Sequence, residues 1–260
     1  MGKVILMKEN KMSYTESHKG KNDGFIYDNY FYNTDTYDNR IWEIEKNILD
    51  NFLSKIDKTK DVLDFACGTG RITKFIENLG FKNIYGFDVS NEMLKIASTK
   101  LNRTRLININ INKEDITKYK NKFALVTVFR FFLNAENKLK DITFSNIHQI
   151  MEKDGYLIFN IHGNKKSLRY FYVFLFNITQ GIRYAVLKRK KHSRKQLSIS
   201  EVKKYLVKHN FELIEIISYS FLTKFFYFLL PKNLFIYLEK LLSSKKLLFG
   251  THLIFLAKKI

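Results

Sequence analysis

The chain has very few of the residues that staple or stiffen small folds. Cys67 is its only cysteine, which excludes a disulfide framework and any thiolate-rich metal site. Pro231 is its only proline, and eleven glycines are too few for collagen-like or proline-rich architectures. Acidic residues are scarce as well: 25 Asp+Glu against 45 Lys+Arg leave a formal charge of +20. Long apolar runs are missing too, since a bilayer takes roughly 20 residues. The stretch 170–178 ends at Thr179 and Gln180, and 225–230 stops at Pro231. Near the start, Val4–Met7 is too short for the apolar part of a signal peptide, so the cytosol is the expected compartment.

What is present is ample apolar material. With 260 residues, 45% hydrophobic and 15% aromatic, the chain can bury a large core and is not a disordered polymer. That length suits one α/β domain with elaborations. The positive charge invites a nucleic-acid or membrane-surface partner. Only nine of the basic residues are Arg, however, and Arg is the side chain that binds phosphates and bases bidentately. Most of the excess is Lys expected on solvated faces, with one concentrated patch at 188–195 containing the run Lys188–Lys191.

Residues 1–22 are polar and aperiodic and read as a flexible tail. The segment 23–57 reads as an N-terminal aromatic and helical lid, with tyrosines between 27 and 37 followed by apolar spacing at Ile41, Ile44, Ile48, Phe52 and Ile56. Strand and helix patterns then alternate. Strands are expected at 61–65, 83–88, 106–111, 123–129, 156–161, 211–219 and 251–259. Helices are expected from the Gly-rich turn to about Leu79, with Gly80 ending it, at 91–101 behind a Ser90 or Asn91 cap, and at 136–151 and 199–209. The turn Lys153-Asp154-Gly155 precedes the fifth strand. This order predicts a doubly wound, mostly parallel α/β sheet, spanning 58–260 with inserts at about 165–198 and 221–247. The second insert reads as two short apolar helices.

The sharpest local signal is Val62-Leu63-Asp64-Phe65-Ala66-Cys67-Gly68-Thr69-Gly70-Arg71, at the first strand-to-helix turn. An open parallel sheet places its ligand there, glycines let the backbone approach it, and the helix N-terminus offers free N–H groups. The dinucleotide string G-x-G-x-x-G and the phosphate loop G-x-x-x-x-G-K-[ST] are both missing. Asp64-x-Ala66-x-Gly68-x-Gly70 instead resembles motif I of the class I S-adenosylmethionine-dependent methyltransferases, small-molecule type, with Ala66 in place of the usual first glycine. Gly86-Phe87-Asp88-Val89-Ser90-x-x-Met93-Leu94 resembles that family's strand-two ending.

The resemblance implies a Rossmann-like seven-stranded sheet whose last strand is antiparallel, and S-adenosyl-L-methionine as cofactor. It implies that Ala66, Gly68 and Gly70 cradle the methionine part while Asp64 holds its amino group. Asp88 would accept from the ribose hydroxyls, and Val89 and Met93 would pack on the adenine. Asp115 would accept from the adenine amine, with the Ile116 N–H at a ring nitrogen, and Phe129 completes the cofactor-binding set. Strand four ends without the Asn/Asp-Pro-Pro-Tyr/Phe string associated with amino-group methylation of nucleobases or glutamine, which disfavours that class. His162, after strand five, is the base candidate, and Arg130 is a candidate for a substrate carboxylate or phosphate, or for the cofactor carboxylate. His148 reads as structural. Tyr30, Tyr32, Tyr37 and Arg40 are lid candidates. The expected acceptor is a small molecule or a glycan- or lipid-linked group, methylated at oxygen. An RNA acceptor and a non-catalytic cofactor-binding homologue remain as alternatives.

Overall fold

The computed structural model describes residues 35–167, 196–222 and 224–260, together with 169, 170, 172, 174–176, 178 and 179. The tail 1–22, the lid tyrosines Tyr30 and Tyr32, and the basic patch 188–195 lie outside the described residues.

Seven strands form one sheet: β1 (Asp61–Phe65), β2 (Asn83–Asp88), β3 (Arg105–Asn108), β4 (Phe123–Val128), β5 (Met151–Ile161), β6 (Phe211–Tyr219) and β7 (His252–Lys259). Their order is β3-β2-β1-β4-β5-β7-β6. The first five are mutually parallel, and β7 runs antiparallel between β5 and β6. The sheet is thus the expected doubly wound one with an antiparallel last strand. The chain winds outward through β1, β2 and β3, then returns to β4 beside β1, and that reversal opens a crevice at the strands' carboxyl ends.

The strands read as their positions demand. Central β4, Phe-Ala-Leu-Val-Thr-Val, is buried along its whole length, because helices cover both faces of a parallel sheet. Alternation divides the apolar residues between two cores. Leu63, Phe65, Phe159 and Phe255 face a core shared with helix α4 (Asn137–Ile150) and helix α5 (Ile199–Lys208). There Phe132 stacks on Phe144 at 4.2 Å and Phe159 on Phe255 at 4.9 Å. Val62, Ile158 and Ile254 face the opposite core, shared with helix α1 (Tyr37–Leu53) and helix α2 (Arg71–Asn78).

Local chemistry sets most element ends. Ser90 caps helix α3 (Asn91–Ser98) by accepting from the Met93 N–H, and Gly80 takes the left-handed conformation (φ +89) after α2. Ser198 and Glu201 form a reciprocal capping box on α5. The helix expected at 91–101 ends at Ser98, and two strand boundaries also differ clearly from the sequence reading. β5 begins at Met151, so 153–155 is a bulge within the strand, where the β4–β5 register shifts between Phe123 and Leu125. A Cβ on Gly155 would lie 3.0–3.2 Å from three backbone oxygens, so any larger residue would press on the backbone there. β3 stops at Asn108 rather than Ile111, which turns the following asparagines toward the crevice.

Of the segment expected to act as a lid, α1 puts its inner face into the core, including Tyr37, Ile41, Leu49 and Phe52. Residues 221–247 form helices α6 (Lys224–Leu229) and α7 (Lys232–Leu242), with α7 packed on α1.

Candidate active site

The loop after β1 is built on three left-handed residues in five: Ala66 (φ +55), Gly68 (φ +55) and Gly70 (φ +82). Ala66 holds this conformation at a steric cost of about 1 kcal/mol. Hydrogen bonds fix the loop, since the Cys67 N–H donates to Phe87 O at 3.0 Å and the Gly70 N–H to Cys67 O at 2.9 Å. Asp88, at the end of β2, ties the neighbouring turn to it. Its carboxylate accepts from the Gly68 N–H and the Ser90 N–H, both at 2.8 Å.

Asp64 is buried beneath the loop, its oxygens accepting from Thr73 Oγ1 (2.6 Å) and Thr127 Oγ1 (2.8 Å). Burial, with the nearby charge of Asp88, pushes its pKa up to about 6 against the opposing threonine bonds.

These groups line a cavity of about 280 Å³ in the crevice, close to the lower end of small-molecule sites (~300–1,000 Å³). Of the sequence candidates, Asp64, Ala66, Gly68, Asp88, Val89, Met93, Phe129, Arg130 and His162 all lie on its wall. Three do not. Gly70 faces α3, where a Cβ would press on Leu101 (3.0 Å) and Ala97 (3.3 Å), so its role is packing and turn geometry. Asp115 points to solvent and accepts from the backbone N–H and hydroxyl of Thr117, opening a short 3-10 turn. Those bonds hold its carboxyl below the usual range. Ile116 is buried in the apolar core. The early end of β3 puts Asn110, Ile111 and Asn112 on the wall instead.

Residues 62–155 match the family described as methyltransferase domain. The chain is 29% identical over 113 residues to YqeM of Bacillus subtilis (strain 168), a protein provisionally named a methyltransferase, covering 42% of this chain and 45% of that one. A provisionally named methyltransferase of Geobacillus sp. (strain WCH70) is 32% identical over 112 residues, covering 41% and 44%. The matched stretch thus spans a little under half of these relatives. In fold, the chain is similar to magnesium protoporphyrin IX methyltransferase from Synechocystis PCC 6803, with a TM-score of 0.60, 13% identity, and coverage of 91% and 94%. The stretch 62–155 is thus similar to a methyltransferase domain, and the fold is that of methyltransferases of known structure.

The far wall of the cavity is a charged network that sequence reasoning largely missed. Arg71, the residue after Gly70, is buried on that wall with its guanidinium 3.4 Å from Glu45 of α1 and 4.5 Å from the Trp42 ring centroid. Glu45 is fully buried and also accepts from Tyr219 Oη (2.7 Å) and Asn160 Nδ2 (3.2 Å). One signal was available: an acid standing four residues after Ile41 on an otherwise apolar helix face must have an internal partner. Its partners come from α2, β5 and β6, whose convergence no local pattern announces.

Arg130 also takes a left-handed conformation (φ +57), its N–H donating to Asn160 Oδ1 at 2.7 Å. Its guanidinium faces Asp38 of α1 at 3.5 Å. His162 Nδ1 is buried and has no hydrogen-bond partner among the described residues. Burial first, then the charges of Arg130 and His252, hold its pKa well below the ordinary histidine value, so the ring is neutral. His148 lies edge-on to Phe211 in α4, away from the cavity. Arg40 faces Asp35 and the Tyr227 ring rather than the cavity.

Proposed function

We propose that the chain transfers a methyl group from S-adenosylmethionine to an oxygen of a small or glycan- or lipid-linked acceptor. The observation that carries this reading is the Gly68–Asp88 pair on the cavity wall. A Cβ at Gly68 would meet nothing within 4 Å, so the backbone there is open to a ligand. Asp88 offers its carboxylate beside that opening, and the buried Thr69 hydroxyl has no partner among the described residues. Acid, open backbone and hydroxyl suit an adenosine with an amino-acid tail, and Val89, Met93 and Phe129 suit its apolar ring. Asp88 would take the ribose hydroxyls, while Asn110 and Asn112 stand where the adenine edge would be read. When bound, the cofactor supplies an electrophilic methyl on a sulfonium, and the protein contributes proximity and orientation.

The acceptor would enter beside Arg130, Asn134 and His162. A hydroxyl attacking carbon must lose its proton, and a neutral imidazole with a vacant Nδ1 is able to take it. Charge favours a small acceptor over RNA: among the described residues the two arginines of the wall, Arg71 and Arg130, each face a carboxylate, Glu45 and Asp38. A phosphate backbone calls for cations with charge to spare.

Calorimetry with S-adenosylmethionine tests the cofactor assignment. Asp88→Ala should weaken binding by about 1–3 kcal/mol, the loss of a charged hydrogen-bond acceptor, and unchanged affinity refutes it. Label from the cofactor's methyl group, traced through an extract of the source cell divided into RNA, lipid and small-molecule fractions, tests the acceptor. Label in RNA overturns the small-molecule reading.

A further inference from the structure

We propose that the α6–α7 hairpin docks the protein on an anionic lipid bilayer. A surface helix ordinarily pairs one apolar face with a polar one. Helix α7 carries large apolar side chains on both. Its inner face buries Phe235 and Glu239 completely, while Leu234, Tyr237 and Leu241 line the outer face at a spacing of three and four, with Leu241 65% exposed. The adjoining α6 adds Phe226, Phe228 and Leu229, and Phe228 is 80% exposed. Large apolar side chains left exposed together on one hairpin mark an interaction site.

The hairpin is held firmly. Arg40 donates to Leu230 O at 2.8 Å and lies over the Tyr227 ring at 4.5 Å. Tyr37 Oη bonds Ser220 Oγ at 2.6 Å and packs edge-on against Tyr227 and Phe235. Its outer side chains are therefore displayed on a fixed frame and need little ordering on binding.

Charge identifies the occupant. Between residues 221 and 251 there are five lysines and one acid. The acid, Glu239, is buried and accepts from the Phe221 and Leu222 N–H groups, so its charge is turned inward. Lys232, Lys240 and Lys246 are exposed on the hairpin and the turn that follows it, while Lys245 pairs with Glu215 at 2.9 Å. A second copy of the chain meeting this face across a two-fold axis would set lysine against lysine. An anionic leaflet satisfies both features, taking the aromatic and leucine side chains into its headgroup and acyl boundary and the lysines at its surface. Helix α7 has 11 residues, which at 1.5 Å per residue is far short of a ~30 Å hydrocarbon core. The hairpin would lie along the interface rather than span it.

Cosedimentation of the whole chain with vesicles tests this. The probes are phosphatidylcholine alone and phosphatidylcholine with phosphatidylglycerol at three to one, in about 0.1 M salt. Binding to the anionic vesicles should exceed binding to the neutral ones at least tenfold. Phe228→Asp with Leu241→Asp, both on exposed positions, should lower it at least tenfold. Lys240→Glu with Lys246→Glu should do the same, since each lysine near an anionic leaflet is worth about a fivefold gain. Phe228→Ala with Leu241→Ala, which brings in no charge, should also weaken it, and matched thermal melts establish that each variant is folded. The proposal is overturned by absent binding, by equal binding to neutral vesicles, or by binding that the variants leave unchanged. It is equally overturned if sedimentation equilibrium finds a dimer that these substitutions dissociate.

Discussion

Removing Glu45 should be among the most damaging single changes outside the apolar core. Its carboxylate is fully buried, faces Arg71 at 3.4 Å, and accepts from Tyr219 Oη and Asn160 Nδ2. Glu45→Ala leaves a cation that is only 5% exposed without its carboxylate and strips two further donors of their acceptor. Breaking a buried ion pair from one side costs about 3–5 kcal/mol, because the remaining charge stays desolvated. The Trp42 face over Arg71 recovers part of this, so the lower half of the range is expected. At about 2–4 °C per kcal/mol for a chain of this size, Tm should fall by roughly 10 °C. Glu45→Gln keeps an acceptor oxygen for Tyr219 and Asn160 and should cost less than half as much. Urea unfolding of the three proteins, with calorimetric binding of S-adenosylmethionine alongside, measures both effects. The variants should also bind less tightly, since Arg71 lines the cavity. A Glu45→Ala protein within 1 kcal/mol of the parent, or a Gln variant as damaged as the Ala variant, refutes the reasoning.

Three more outcomes are expected. His162→Asn should lower kcat about 10²-fold, by steady-state assay once the acceptor is in hand, with KM for the cofactor little changed; full activity makes His162 structural. Ala66→Gly should raise stability by up to about 1 kcal/mol in urea unfolding, because glycine relieves the left-handed strain while adding unfolded-state entropy that offsets part of the gain. Burial pushes Glu239 up to about 7 from 4.5. The folded state therefore holds this proton where the unfolded state has lost it, and stability from this group falls as pH rises from about 4.5 to 7. At 1.36 kcal/mol per pH unit this is roughly 3 kcal/mol. Unfolding curves at pH 5 and pH 8 should differ by correspondingly less in Glu239→Gln, and an identical pH slope in both proteins would rule the linkage out.

The strand-and-helix alternation, the Gly-rich turn and the acid ending strand two were legible in the sequence because each is a local pattern. Period-two apolar runs, a serine cap at Ser90 and a left-handed glycine at Gly80 depend on neighbours a few residues away. Asp115 misled for the same reason: Lys-Glu-Asp after a strand looks like a ligand-facing loop, but whether it reaches the cavity depends on where β3 ends. That end was set by pairing with β2, and it handed the wall to Asn110–Asn112.

The sequence alone determined the class of sheet, the position of the crevice and the acids Asp64 and Asp88, since these follow from periodicity and from a turn that only small residues permit. Tertiary structure decided the rest. It brought Glu45, Arg71, Asn160 and Tyr219 from four elements into one buried network, turned Asp115 to solvent, and left Leu234, Tyr237 and Leu241 of α7 exposed. Burial and pairing are properties of segments far apart in the chain, and the energy of a buried charge depends on partners that no stretch of sequence contains by itself.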